Sequence, residues 1–195
     1  HMKRKRNNII DFKFNSFFTI YFEDDSGKKT CIFNSHNMAT QMASEILCQM
    51  LYEHAKNCIA GSLSNSRWYL KEFRLGNRGE GDNPPVNVVP DPDPEAEGLV
   101  ETDEDNIAIV PVTDSFVQDI DGDLVVVFKG TLEKGDSESD FNGKTYSEIG
   151  IFTNTDDEGE NSYCLAIKNN PSYIKDETRK LILLWGIHLE NQQAS

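Results

Sequence analysis

The stretch from Tyr146 to Glu190 limits the fold more than any other part of the chain. It holds three short apolar runs, Tyr146–Phe152, Tyr163–Ile167 and Leu181–Leu189. The first two are separated by Asp156-Asp157-Glu158-Gly159, the last two by a polar connection that begins at Pro171. Each run is rich in aromatic and β-branched residues and bounded by turn formers, the pattern of strands rather than helices. The spacing predicts three strands in an antiparallel meander. After Leu183 the last run alternates, so that Leu183, Trp185, Ile187 and Leu189 share one face. Such a strand belongs in the middle of a sheet.

The rest of the chain reads in the same way, with one exception. Ile10, Phe12 and Phe14 alternate, as do Phe18, Ile20 and Phe22. With Asp24-Asp25-Ser26-Gly27 as a turn and Thr30–Phe33 returning, this predicts a hairpin. Arg67–Leu75 predicts a strand that ends in a glycine-rich loop. Ile107–Val117 and Leu124–Leu132 predict a second hairpin with Asp121-Gly122 at its tip, and Pro111 places the first of these strands at an edge or a bulge. The exception is residues 37–61. Met38, Met42, Ile46, Met50 and Leu51 recur at three- to four-residue spacing, Ser35 or Asn37 can cap the start, and Gly61 ends the run. That is a helix with one apolar stripe.

The expected fold is therefore a single mainly-β domain over residues 1–195, an antiparallel β-sandwich with one long α-helix in its N-terminal half. Residues 1–36 supply a basic arm and the first hairpin, 37–61 the helix, 67–76 a strand, 79–106 a long acidic loop and 107–190 the remaining antiparallel strands. A chain of 195 residues buries enough surface to fold without metal or disulfides. Its four cysteines, Cys31, Cys48, Cys58 and Cys164, lie far apart with no zinc spacing and read as reduced thiols. His1-Met2 reads as a cloning remnant, with Met2 as the native start.

Charge excludes several functions. The net charge of -14 argues against double-stranded nucleic acid and against an anionic membrane surface, both of which want a basic face. No apolar run reaches the roughly 20 residues of a membrane span. Between Gly79 and Asn106 there are ten acids, five prolines and no lysine or arginine. This composition cannot bury enough apolar surface to order itself alone and predicts an exposed loop. Three acids alternate at Asp119, Asp121 and Asp123, but the glycine and closing glutamate of an EF-hand fall in the wrong places. The glycines at 76, 79 and 81 match neither dinucleotide nor P-loop spacing. Paired carboxylates on a rigid frame and nucleophile elbows are both missing from the pattern. The expectation is a chain that is not an enzyme, with no catalytic residues, no cofactor and no metal.

The order of features resembles a family of tailed-bacteriophage structural proteins. The resemblance rests on a helix over Asn37–Ala60, Leu75-Gly76 closing a strand, Glu148-Ile149-Gly150-Ile151-Phe152, Leu165-Ala166, and Leu181-Ile182-Leu183-Leu184-Trp185-Gly186-Ile187. It covers roughly Asn37 to Glu190, with isoleucine at 167 where the family usually has arginine. It implies a structural module of a virion tail, neck or tail-fibre attachment, made in the host bacterial cytoplasm. The implied partners are copies of itself and neighbouring virion proteins, with no small-molecule ligand. The alternative is a receptor- or carbohydrate-binding module of a fibre, with Trp68 and Tyr69 available to stack on sugars.

Contacts are expected from the basic arm Lys3, Arg4, Lys5 and Arg6, and from the acidic loop residues Glu80, Asp82, Asp91, Asp93, Glu95, Glu97, Glu101, Asp103, Glu104 and Asp105. A basic arm on one copy and an acidic loop on the next attract each other in a salt-dependent way.

Overall fold

The structure is a computed structural model, and it describes residues 12–40, 43–60, 69–79, 91–93, 96–120, 122–135, 141–154 and 162–191. Among these residues nine strands and one α-helix follow one another: β1 (Phe12–Glu23), β2 (Lys29–His36), β3 (Met38–Ala39), α1 (Ala43–Ala60), β4 (Tyr69–Gly76), β5 (Ala108–Ile120), β6 (Asp123–Leu132), β7 (Thr145–Asn154), β8 (Ser162–Ile174) and β9 (Lys180–Asn191). The strands pair in the order β2-β1-β9-β6-β5-β4-β7-β8-β3, every pair antiparallel. The protein is mainly β with one helix, as its composition of short alternating runs requires.

The pairing does not divide into the two facing sheets of a sandwich. It runs nearly full circle, as in a barrel. The first and last members of the order, β2 and β3, are consecutive in the chain, with only Asn37 between them. Asn37 donates its N–H to the Ser16 carbonyl, and Thr40 donates to the Leu165 and Cys164 carbonyls of β8. The ring is thus closed by a short link, which removes most of the exposed edge an open sheet would carry.

Two expectations are corrected here. The last three strands are not a meander. β7 and β8 form a hairpin, but β9 crosses to the far side of the ring and pairs with β1 and β6. The alternation of Leu183 and Trp185 demands a central position without naming the neighbours. The helix is also shorter than the apolar stripe. Asn37–Thr40 is extended because its backbone completes the ring, so neither Ser35 nor Asn37 caps α1; Ala43 donates to the Thr40 carbonyl instead. Tertiary pairing here overrides local periodicity.

The core fills the inside of the ring. Phe18, Ile20 and Phe22 of β1 face inward beside Trp185, Leu183 and Leu181, and Phe73, Leu75, Val110, Ile149, Ile151 and Leu165 meet them from the other strands, all essentially buried. The helix adds Ala43 and Ile46 to this cluster, with Leu47 and Met50 packed against it. Leu51 and Tyr52, one step round the helix, are exposed.

Pro111 explains how β5 turns the corner. Ala108–Pro111 pair with β4, and from Val112 onward the strand pairs with β6. The register slips between Val112 and Asp114, which is the bulge the proline predicts. Pro171, by contrast, does not begin the connection expected of it: β8 runs straight through it to Ile174, well beyond the expected end at Ile167, and the ladder accommodates it by a register slip between Tyr146 and Glu148.

Candidate functional site

Three places on the outside of the ring stand out. The first is the outer face of β4, β7 and β8. Glu148 lies opposite Gly76 and is completely buried on this outward side. Its Oε2 accepts the N–H of Val100 at 2.8 Å, and its Oε1 accepts those of Glu101 at 2.9 Å and Arg78 at 3.4 Å. Next to it, Ser147 Oγ accepts from Gly79 N at 3.0 Å. Burial pushes the Glu148 carboxyl above its ordinary value, against the pull of the three backbone donors.

Glycine is needed around this carboxylate. A Cβ at Gly76 would run into Glu148 Oε1, and one at Gly79 would run into the Ser147 carbonyl. Leu99 packs on Phe152, Cys164 and Ile167, in the space that Gly150 leaves open. Arg74 lies over the Phe152 ring at 4.2 Å, with its Nε donating to Glu72 Oε1 at 2.8 Å.

The end of the acidic loop is therefore clamped to the barrel, and the expectation of a purely exposed segment is corrected. Glu101 is buried and its carboxylate accepts the N–H groups of Thr102 and Asp103. Asp103 caps a short 3-10 helix, Glu104–Asn106, through the Asp105 N–H. Asp91 pairs with Lys168 at 2.5 Å, and the lysine's hydrogen bond and charge hold its carboxyl below the usual range. Asp93 accepts from Ala96 through its backbone carbonyl, and Glu97 is exposed. Lys3, Arg4, Lys5, Arg6, Glu80, Asp82 and Glu95 lie outside the described residues, as does Trp68; Tyr69 is exposed at the start of β4.

Composition masks this clamp in the sequence. Glu148 sits inside an apolar run, where a lone acid needs an explanation. That is the signal available before the structure.

The second place is the β5–β6 hairpin. Every residue from Thr113 to Ile120 is exposed, on both faces of the strand, and among the described residues this part of β5 pairs with β6 alone. Val117 is 64% and Leu124 68% exposed, and Phe116, Ile120 and Val126 are each more than a third exposed. β6 pairs with β9 only as far as Val126, whereas β9 continues along β1 to Asn191. The tip of the hairpin thus parts from the ring as a projecting arm. Gly122, at φ +94°, makes its turn, and its N–H donates to Asp119 Oδ1 at 2.8 Å.

The third place is the groove that opens where the arm parts from β9. It encloses about 440 Å³. Phe17, Val125 and His188 form its floor, with His36 and Asn34 on one rim and Ile120 and Asp123 on the other. Phe17 lies flat enough over Gly186 that a Cβ there would strike its ring.

No group of three or more histidine, cysteine or acidic side chains among the described residues is placed to hold a metal ion. No helix among them is long and apolar enough to cross a membrane. Cys31 and Cys48 are exposed free thiols; Cys164 is buried, and burial pushes its thiol up to about 12. Comparisons with family models, curated proteins and solved structures return no match.

Proposed function

We propose that this chain is a structural protein of a bacteriophage particle, a tail, neck or tail-fibre-attachment component that works through protein–protein contacts. The observation that carries the reading is the β5–β6 arm: a hairpin held at its base by a barrel, with β5 exposed on both faces from Thr113 to Ile120 and Val117 and Leu124 bare to solvent. The inside of the barrel is filled, among the described residues, by Phe18, Phe73 and Trp185. What it offers is shape on the outside, presented by a frame stiff enough to hold it. The strand motifs at Glu148–Phe152 and Leu181–Ile187, which resemble those of tailed-phage proteins, support the same reading. On this view the chain is not an enzyme, is made in the host bacterial cytoplasm and resides in the virion.

The clamp at Glu148 refines the contact set. Asp91, Val100 and Glu101 are tied to the barrel, and Glu97, Glu104 and Asp105 stand exposed beside them as an acidic rim. A partner with a basic segment would meet that rim in a salt-dependent way. The test is mass spectrometry of particles purified from the virus whose genome encodes the chain. Its peptides should be present in a fixed ratio to other particle proteins. Their absence from washed particles refutes the reading.

The groove favours a second reading, a receptor- or carbohydrate-binding module. Phe17 offers a ring face, while Asn34, His36 and Asp123 offer polar groups around it, the combination that suits a sugar. A glycan array probed with the folded chain separates the two. Binding that disappears in Phe17→Ala supports the second reading, and an array without hits removes it.

A further inference from the structure

From the surroundings of Lys175 we infer that one end of the barrel carries a binding site for a small organic acid, its carboxylate on the lysine ammonium and its apolar body against Leu132 and Phe141. The site lies apart from the arm and the groove, and it goes beyond the reading as a particle protein.

A lysine is almost never fully buried unless its charge is paired. Lys175, one residue past the end of β8, is 1% exposed. Its Nζ donates to Asn142 Oδ1 at 3.1 Å and to the Asp176 carbonyl at 2.5 Å, both neutral acceptors. Among the described residues its ammonium pairs with no carboxylate. Three acids of this region are engaged by other cations. Asp176 Oδ2 accepts from Arg179 Nε at 2.7 Å, Glu133 bridges Lys180 at 3.3 Å, and Asp25 pairs with Lys134. Lys175 is the cation left over. Burial pushes its ammonium below the ordinary value.

An ammonium has three N–H donors. The two acceptors take two of them, which leaves the third for the cavity that Lys175 lines. This cavity is about 200 Å³ and lies between the end of β6 and the residues that precede β7, with Thr131, Leu132, Phe141 and Asn142 in its wall. It is smaller than the roughly 300–1,000 Å³ that drug-sized ligands occupy, so it suits an acid of a few carbons. Leu132 is buried and Phe141 packs against the core, so part of the wall is apolar. Glu133 also lines the cavity. Its charge disfavours a second negative charge nearby, which selects a monocarboxylate over phosphate or a dicarboxylate.

The backbone holds the lysine in place. Its N–H donates to the Lys144 carbonyl at 3.1 Å, and its own carbonyl accepts from Gly143 N at 2.8 Å. Two residues on, the Glu177 carbonyl accepts from Gly135 N at 2.9 Å. An ammonium fixed in this way loses little freedom when it meets an acid, and the bond it forms is charge-assisted.

The experiment titrates the full chain with butyrate and follows its backbone amides by NMR at constant salt, with butyramide as the uncharged isostere. Butyrate should shift Thr131–Lys134, Asn142 and Lys175–Asp176 in a saturable way, with a Kd of about 1–10 mM. Butyramide should bind at least tenfold more weakly. Lys175→Met should abolish the butyrate shifts while the β1 and β9 amides keep their positions. Shifts that persist in a folded Lys175→Met chain overturn the inference. Should that variant not fold, the parent chain still decides. No saturable shift up to about 100 mM butyrate, shifts scattered over the surface, or equal responses to the two probes each overturn it. Binding that appears only after Asp136→Asn, Glu138→Gln and Asp140→Asn also overturns it, because the acid that meets Lys175 is then the chain's own. None of these outcomes touches the particle test above, which can succeed or fail by itself.

Discussion

Replacing Glu148 by alanine should release the end of the acidic loop without unfolding the barrel. The side chain accepts two short hydrogen bonds, from Val100 N at 2.8 Å and Glu101 N at 2.9 Å, and a long one from Arg78 N at 3.4 Å. Alanine leaves these donors without their acceptor. A buried donor left unsatisfied costs about 1–3 kcal/mol. Two effects reduce the sum. Val100 is 45% exposed, so its N–H can turn to water once the loop lifts. The variant also removes a carboxyl that burial holds above its normal pKa, and with it the penalty for its charge. The net loss should be about 2 kcal/mol, which for a chain of this size lowers the midpoint of thermal unfolding by about 4–8 °C. The location of the loss discriminates more sharply than its size. Hydrogen exchange should rise over residues 96–103 and stay slow over β1 and β9, whose pairing does not involve Glu148. If exchange in 96–103 is unchanged, or if the whole barrel loosens together, the carboxylate does not act as a local clamp.

The same residue gives a pH prediction. Glu148 has a folded-state pKa above the ordinary 4.5, so its contribution to stability is complete below that value and is lost as pH rises through the folded value. E148Q has no such dependence, so its stability relative to the parent should climb as pH rises above the ordinary 4.5, read from urea midpoints; a flat difference would show that burial does not dominate this carboxyl. Gly79→Ala should destabilise by about 2 kcal/mol or more, because its Cβ meets the Ser147 backbone oxygen, whereas Gly98→Ala, with nothing within 4 Å, should stay within about 0.5 kcal/mol. Gly186→Ala should cost about 1–3 kcal/mol by pushing on the Phe17 ring; combining it with Phe17→Leu should recover part of that loss, and strictly additive effects would argue against the contact.

Much of the fold can be read from the chain because strand chemistry is local. Alternation in Phe18-Thr19-Ile20-Tyr21-Phe22 and the Asp121-Gly122 turn identify the elements: the expected Leu124–Leu132 is within one residue of β6, while β5 runs three residues beyond the expected Val117. What is not legible is which strands pair. Leu183 and Trp185 require a buried central strand, and that requirement is met equally by β8 as a neighbour and by β1 and β6. The choice depends on closing the ring through Asn37–Thr40, a stretch whose own side chains carry a helical pattern. For this reason the beginning of the helix is the least legible boundary.

The two acidic features show the same limit from the side of function. Asp91–Asp105 and Asp114–Asp123 look alike in composition: acids, few apolar residues and no basic ones. Yet, among the described residues, the first is held against the barrel and the second runs out along the β5–β6 arm. The difference lies in what each meets. Leu99 finds an apolar hollow over Gly150, and Val100 and Glu101 find a buried acceptor in Glu148. The arm beyond Val112 loses β4 as a partner, and its tip, beyond Val126, loses β9 as well. An acid in the first segment caps a backbone turn, as Asp103 does. An acid in the second does the same work at the tip of the hairpin, where Asp119 Oδ1 accepts the Gly122 N–H at 2.8 Å. The two acids are therefore local caps, and each should be felt only at its own turn. Asp103→Ala should raise hydrogen exchange at Asp105 and Asn106, and Asp119→Ala at Gly122, each costing about 1 kcal/mol or less while β1 and β9 stay slow. Exchange that rises across the barrel in either variant would show that the acid does more than hold its turn.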